Sequence, residues 1–198
     1  MNELALKVVD GVKLDEERRA LLRPGDTVHD ARGRARVLPR FFYEIDSWDQ
    51  AKRTFLSPHF RLSELISVDC REAALLLETF PHYVPCAISI LSRYLEAFRQ
   101  KADAPVFVSA NGGYRSPAHA LSQVASPHLW ATAANVYRVG DTFLDDPASI
   151  EKYGRMAEGV APEIFAKPYG HGEHETDDHV HLDIGYVTYV PHQAEDAA

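Results

Sequence analysis

Between positions 84 and 98 the apolar side chains Val84, Ile88, Leu91, Leu95 and Phe98 recur three or four residues apart. That period matches the turn of an α-helix, so the stretch predicts one long helix with a single buried stripe. The pattern then changes. Pro105-Val106-Phe107-Val108-Ser109 is a short apolar run closed by Asn111-Gly112-Gly113, which predicts a buried strand followed by a turn. Residues 131–139 and 179–187 predict further strands. Residues 147–165, with Ile150, Tyr153 and Ala157 on one side, predict a helix between them.

Ahead of the long helix the signals are shorter. Leu62-Ser63-Glu64-Leu65 opens one helical stretch and residues 71–80 another. Residues 14–22 form a short charged helix stopped by Arg23-Pro24-Gly25. Residues 30–40 read as a loop or short hairpin, and Ser47 caps a helix over 48–56. Helices followed by separated strands predict an α+β fold, a small antiparallel sheet packed against helices, rather than a doubly wound sheet. The chain divides into an N-terminal extension (1–57), a main domain (58–190) and a tail (191–198). No internal repeat or low-complexity tract interrupts it.

Composition narrows the partners. A 198-residue chain with 45% hydrophobic and 25% charged residues can bury a proper core without staples. Its net charge of -8 argues against a nucleic-acid backbone as partner, which would require a basic face. No run approaches the roughly 20 apolar residues of a membrane span. The first ten residues, with Glu3 and Lys7, lack the apolar core of a secretory signal. The expected location is therefore cytoplasmic, or secreted or phage-released where a leader has been removed. Cys70 and Cys86 are the two cysteines, compatible with either one disulfide or two free thiols.

Three clusters carry the candidate chemistry. His171, His174, His179 and His181 crowd one segment with Glu173, Glu175, Asp177, Asp178 and Asp183. Imidazole and carboxylate are the donors a zinc-like ion takes, and His179 and His181 alternate so that both face one side of a strand. Asp178 beside them could accept and return a proton. The second cluster, residues 113–119 (Gly-Tyr-Arg-Ser-Pro-Ala-His), puts Arg115 just after the buried strand, where its fork could grip a carboxylate. His119 reads as a surface or helix-start residue. The third runs from Ser126-Pro127-His128 to Asn135, and His128 taken alone reads as a core histidine.

Taken in order, these motifs resemble the zinc D-alanyl-D-alanine carboxypeptidase family, which shares its fold with the Hedgehog signalling domain. The likeness rests on Phe60-Arg61-Leu62-Ser63-Glu64-Leu65, residues 113–119, Ser126-Pro127-His128 and Asp178-His179-Val180-His181, and spans about residues 58–190. The resemblance implies a Hedgehog/DD-peptidase-like fold and a zinc metallopeptidase acting on a D-Ala-containing dipeptide or peptidoglycan stem peptide. It casts His128 and His181 as metal ligands and Asp178 as the acid/base. Arg115 becomes the substrate clamp, with Tyr114 and Ser126 beside the substrate, and His179 the residue facing the oxyanion.

Two positions depart from the family pattern. Its aspartate ligand falls on Asn135 and its glycine on Ala131. A neutral amide oxygen holds zinc less well than a carboxylate, so the site is expected to bind the ion weakly unless His171, Glu173, His174 or Asp141 completes the shell. Two functional classes follow: a zinc-dependent peptide hydrolase, and a catalytically degenerate peptide-binding or structural module that keeps the cleft.

Overall fold

The structure, a computed structural model, describes residues 6–172 and 174–194. In chain order the elements are β1 (Lys7–Asp10), α1 (Glu16–Leu22), β2 (Thr27–His29), β3 (Ala35–Val37), β4 (Phe41–Ile45) and α2 (Trp48–Arg53). Then come β5 (Phe55–Ser57), β6 (Phe60–Arg61), α3 (Leu62–Leu65), α4 (Ala74–Glu78), β7 (His82–Pro85) and α5 (Ile88–Ala102). The C-terminal part holds β8 (Val106–Val108), β9 (Ala133–Val139), β10 (Thr142–Phe143), α6 (Pro147–Glu158), β11 (Phe165–Ala166) and β12 (Val180–Asp183). This is a mixed α and β architecture with small antiparallel sheets and six α-helices among the described residues.

The largest sheet has five strands, with β9 at its centre. β12 pairs antiparallel with the first half of β9, while β8 and β10 pair with its second half. The register sets His181 directly opposite Asn135 and Asp183 opposite Ala133. Cross-strand partners point to the same face of a sheet, so the terminal His-x-Asp and the interior Asn135 share one side. That register builds half of the site.

Against this sheet lie α5 and α6. The α5 stripe is as the periodicity predicts over Ile88, Leu91, Leu95 and Phe98, each no more than 2% exposed. Burying such a side chain contributes about 1.5–3 kcal/mol. Val84 departs from the expectation. It belongs to β7, and the helix begins only at Ile88. Val84 and Pro85 pair with Tyr43 and Phe42 of β4, and the chain bends through Cys86 and Ala87 before the helix starts.

The N-terminal region is structured. β1 and β4 join β7 in a three-stranded sheet, and Leu6, Ile45 and Ala51 belong to the same apolar core as Leu62, Leu65 and Leu91. Residues 30–40 do contribute a hairpin, β2–β3. It is tied to the main domain at three points: Ala125 N–H donates to the His29 carbonyl, the Trp130 indole N–H donates to the Val37 carbonyl, and the Arg36 guanidinium lies 4.2 Å from the centre of the Tyr186 ring. Cys70 is exposed and Cys86 buried, and both are free thiols.

Candidate metal-binding cleft

The motifs that the sequence spreads over more than a hundred residues meet through backbone hydrogen bonds. Tyr114 N–H donates to the Leu65 carbonyl at the end of α3, and Asn135 N–H donates to the Gly112 carbonyl. His128 Nδ1–H donates to the Gly113 carbonyl at 2.8 Å. Gly113 is therefore the knot of the site, and only glycine fits there: a Cβ would stand 2.0 Å from the Leu65 carbonyl oxygen. His128 itself sits on a short 3-10 turn, Pro127–Trp130, that ends at Ala131 in the left-handed region with φ 56°. Ala131 thus takes a left-handed backbone, at a cost of roughly 1–2 kcal/mol for a residue with a Cβ.

His128 and His181 come together. Their ring centres are 5.1 Å apart, at an interplanar angle of 68°. Both side chains are buried, and burial holds both imidazoles below their usual pKa, His128 well below it. For His128 the charges of Arg115, His181 and His179 push the same way; for His181 the Asp183 carboxylate pulls back. Burial thus favours the neutral form of both rings, which is the form that binds a metal.

Hydrogen bonds then assign the tautomers. With Nδ1–H given to Gly113, His128 presents its Nε2 lone pair. His181 Nε2 lies 3.1 Å from Asp183 Oδ2, so its proton sits there, and its Nδ1 lone pair faces Asn135 Oδ1 at 2.9 Å. A backbone carbonyl behind one imidazole and a carboxylate behind the other is the arrangement that fixes ring orientation in metal sites and raises ligand basicity. It also leaves two acceptors, His181 Nδ1 and Asn135 Oδ1, within hydrogen-bonding distance of each other. A cation held by both atoms satisfies this contact, as does an Asn135 amide turned so that its NH₂ donates to the ring, or a proton on Nδ1.

Arg115 is partly buried beside this pair. Burial and the nearby Arg71 charge lower its pKa to about 10. Its Nε is buried with no hydrogen-bond partner, and its guanidinium makes no ion pair among the described residues. A desolvated, unmatched guanidinium is a receptor for an anion.

The remaining expected site residues fall in different places. His179 is close enough to both buried imidazoles to depress their proton affinity. Asp178 is largely exposed, with a carboxylate oxygen against His179 Nδ1. Ser126 lines an open cleft of about 440 Å³ together with His181 and Asp183. Tyr114 does not join it. Its ring is 8% exposed, packed in the core, and borders a separate cavity of about 40 Å³ with Glu72 and His82. The backbone turn that brings Arg115 beside His128 sends the preceding side chain into the core.

Of the carboxylates and imidazoles expected to complete a metal shell, His171 pairs with Asp177 and His174 borders the cleft, while Asp141 is exposed at the β9–β10 turn. Glu173 lies outside the described residues. No group of three or more His, Cys, Asp or Glu side chains converges on a metal-sized point among the described residues. His119 is not at the surface: it is 2% exposed, its Nε2–H donates to Asn111 Oδ1 and its Nδ1 accepts from Leu121 N–H, bracing the loop ahead of Arg115.

The chain matches no protein-family model, no curated protein and no solved structure. The site must be read from its own geometry.

That geometry adds one residue the motifs did not single out. Asp183 follows His181 by two positions on β12, so it shares the face of the strand, and its Oδ1 is fixed by Gly185 N–H at 2.8 Å. The alternation in His181-Leu182-Asp183 carries that signal in the sequence. Among the described residues, no helix is long and apolar enough to cross a membrane.

Proposed function

We propose that this cleft is a metallopeptidase-like site for a short peptide with a free C-terminal carboxylate, of the D-Ala-containing cell-wall type, with a Hedgehog/DD-peptidase-like fold around it. The observation that carries the proposal is the pair of buried imidazoles, each held from behind by a hydrogen bond, with Asn135 Oδ1 2.9 Å from His181 Nδ1.

The donor set fits a divalent ion through two strong donors and one weak one. His128 Nε2 and His181 Nδ1 would hold it, and Asn135 Oδ1 would complete the protein's share. Zinc bound there supplies Lewis acidity toward a carbonyl and brings water close to neutral pKa. The chain's own residues do the rest. Arg115 receives the peptide's terminal carboxylate or polarises the scissile carbonyl, which satisfies its orphaned Nε. His179, hydrogen-bonded to Asp178, presents its other nitrogen to negative charge growing on the carbonyl oxygen. Asp178, open to solvent, accepts a proton and returns it to the leaving amine.

A second reading rests on the same contact. If the Asn135 amide is turned, its NH₂ donates to His181 Nδ1, every ring nitrogen but His128 Nε2 is satisfied without an ion, and the cleft becomes a peptide-binding module anchored by Arg115.

Release of D-Ala from a D-Ala-D-Ala peptide, measured with and without added zinc, separates the two. Zinc-dependent release that falls about 10²–10⁴-fold in Asp178→Asn supports the hydrolase. Peptide binding without cleavage, in a protein that takes up no zinc, supports the module. Cleavage that survives Asp178→Asn unchanged removes the acid/base assignment.

A further inference from the structure

The 440 Å³ cleft beside His181 has a wall that the motifs do not describe: the tip of the β2–β3 hairpin, from the N-terminal segment, lines it together with residues after β11. Its volume lies within the range of small-ligand pockets. The charges along it do not cancel. Asp30 is buried and already accepts from Arg34 Nε and from Arg36 Nε and Nη2, at 2.9–3.3 Å. Asp183 is used by His181 and Gly185. Arg32 and Lys167 are left over. Neither makes a side-chain hydrogen bond or ion pair among the described residues, yet Lys167 is near enough to His181 to lower its proton affinity. Two uncommitted cations thus border a pocket in a chain whose net charge is -8. Beside them, Phe165 and Val124 are about half exposed.

A bare apolar cleft would take any peptide. An uncompensated cation pair selects, because a carboxylate entering between Arg32 and Lys167 gains attraction without displacing an existing partner. The hairpin is also well anchored, through Ala125, Trp130 and Tyr186, so Arg32 is carried on a fixed backbone rather than a loose loop. We infer that the cleft takes an acidic peptide: while Arg115 receives the terminal carboxylate, Arg32 and Lys167 receive a second carboxylate, carried by a side chain upstream of the C-terminus. This rests on the peptide-site reading above and adds the substrate class.

The test titrates the full chain, treated with a chelator to prevent turnover, with acetyl-Glu-D-Ala-D-Ala and with its acetyl-Gln-D-Ala-D-Ala counterpart, following backbone amide shifts. The two probes differ by one charge. The Glu peptide is expected to bind about 3–10-fold more tightly, an advantage that shrinks as salt is raised. In the Arg32→Gln/Lys167→Gln double variant that advantage should disappear while the Gln peptide binds as it does to the parent, which also shows that the variant is folded. Equal binding of both peptides to the parent, or a preference that persists in the double variant, overturns the second subsite and leaves the peptide-site reading standing. If neither peptide binds, both fall.

Discussion

Replacing Asp183 by asparagine tests how the cleft prepares His181. The change is isosteric, and the retained Oδ1 can still accept from Gly185 N–H, now held at 2.8 Å, so the end of β12 should keep its shape. What changes is the group opposite His181 Nε2, now 3.1 Å from a carboxylate oxygen. An amide NH₂ there is a donor. It drives the ring proton to Nδ1, the nitrogen that faces Asn135 and that a metal would need. The parent's charge-assisted hydrogen bond is worth about 1.5–3 kcal/mol, and both partners are shielded, with side chains only 7% and 13% exposed. Losing it should weaken zinc binding about 10–100-fold. Competition against a chromophoric zinc chelator at pH 7.5 measures this directly, with thermal unfolding as the fold control. If the variant unfolds at the parent's temperature and its zinc affinity stays within about twofold, Asp183 does not orient His181.

Three other changes probe other parts of the account. Asn135→Asp restores a charged oxygen directly across from His181 and should raise zinc affinity by at least about tenfold; zinc-dependent peptide cleavage that appears only in this variant would mark the natural chain as the binding module. Gly113→Ala would force a methyl group to within 2.0 Å of the Leu65 carbonyl oxygen, and should cost about 3–5 kcal/mol, lowering the melting temperature by on the order of 10 °C; an unchanged melting temperature would show that this backbone knot is not as tight as described. Acid should loosen the hairpin. Burial opposes ionisation of Asp30, but the Arg34 amide and guanidinium, the Arg32 amide and Arg36 outweigh it and hold its pKa at about 2. A depressed carboxylate stabilises the fold above its ordinary pKa, and that contribution is lost as pH falls from about 4 toward 2. The Trp130 indole N–H resonance, bonded to Val37, should therefore shift over that window in the parent and be flat in Asp30→Asn. An equal response in both would assign the change elsewhere.

Much of the architecture is written locally. The α5 stripe, the Ser47 cap of α2 and the β8 run are each set by residues a few positions apart, which is why periodicity and capping chemistry find them. The β1–β4–β7 sheet is different. Its pairings join positions about 35 and 40 residues apart, as in Lys7 with Glu44 and Glu44 with Tyr83, and nothing in Phe41-Phe42-Tyr43 alone names its partners. The site divides in the same way. His128 and His181 were legible as an ordered pair of motifs, and Arg115 as a cation placed after a strand. Tyr114, expected beside the substrate, packs in the core next to Arg115, because neighbouring residues of a turn point different ways. The alternation of His181 and Asp183 hints at a shared face, whereas Arg32 and Lys167 gain meaning only from the hairpin's docking on Ala125 and Trp130, which is a tertiary fact.

The most direct test is a zinc-edge anomalous difference map from crystals of the full chain grown with one equivalent of zinc. A single strong peak about 2.0–2.1 Å from both His128 Nε2 and His181 Nδ1, with Asn135 Oδ1 turned toward it, is the predicted result. No peak between those two rings, or a peak only at the exposed His171–Asp177 pair, would contradict the metal-site account.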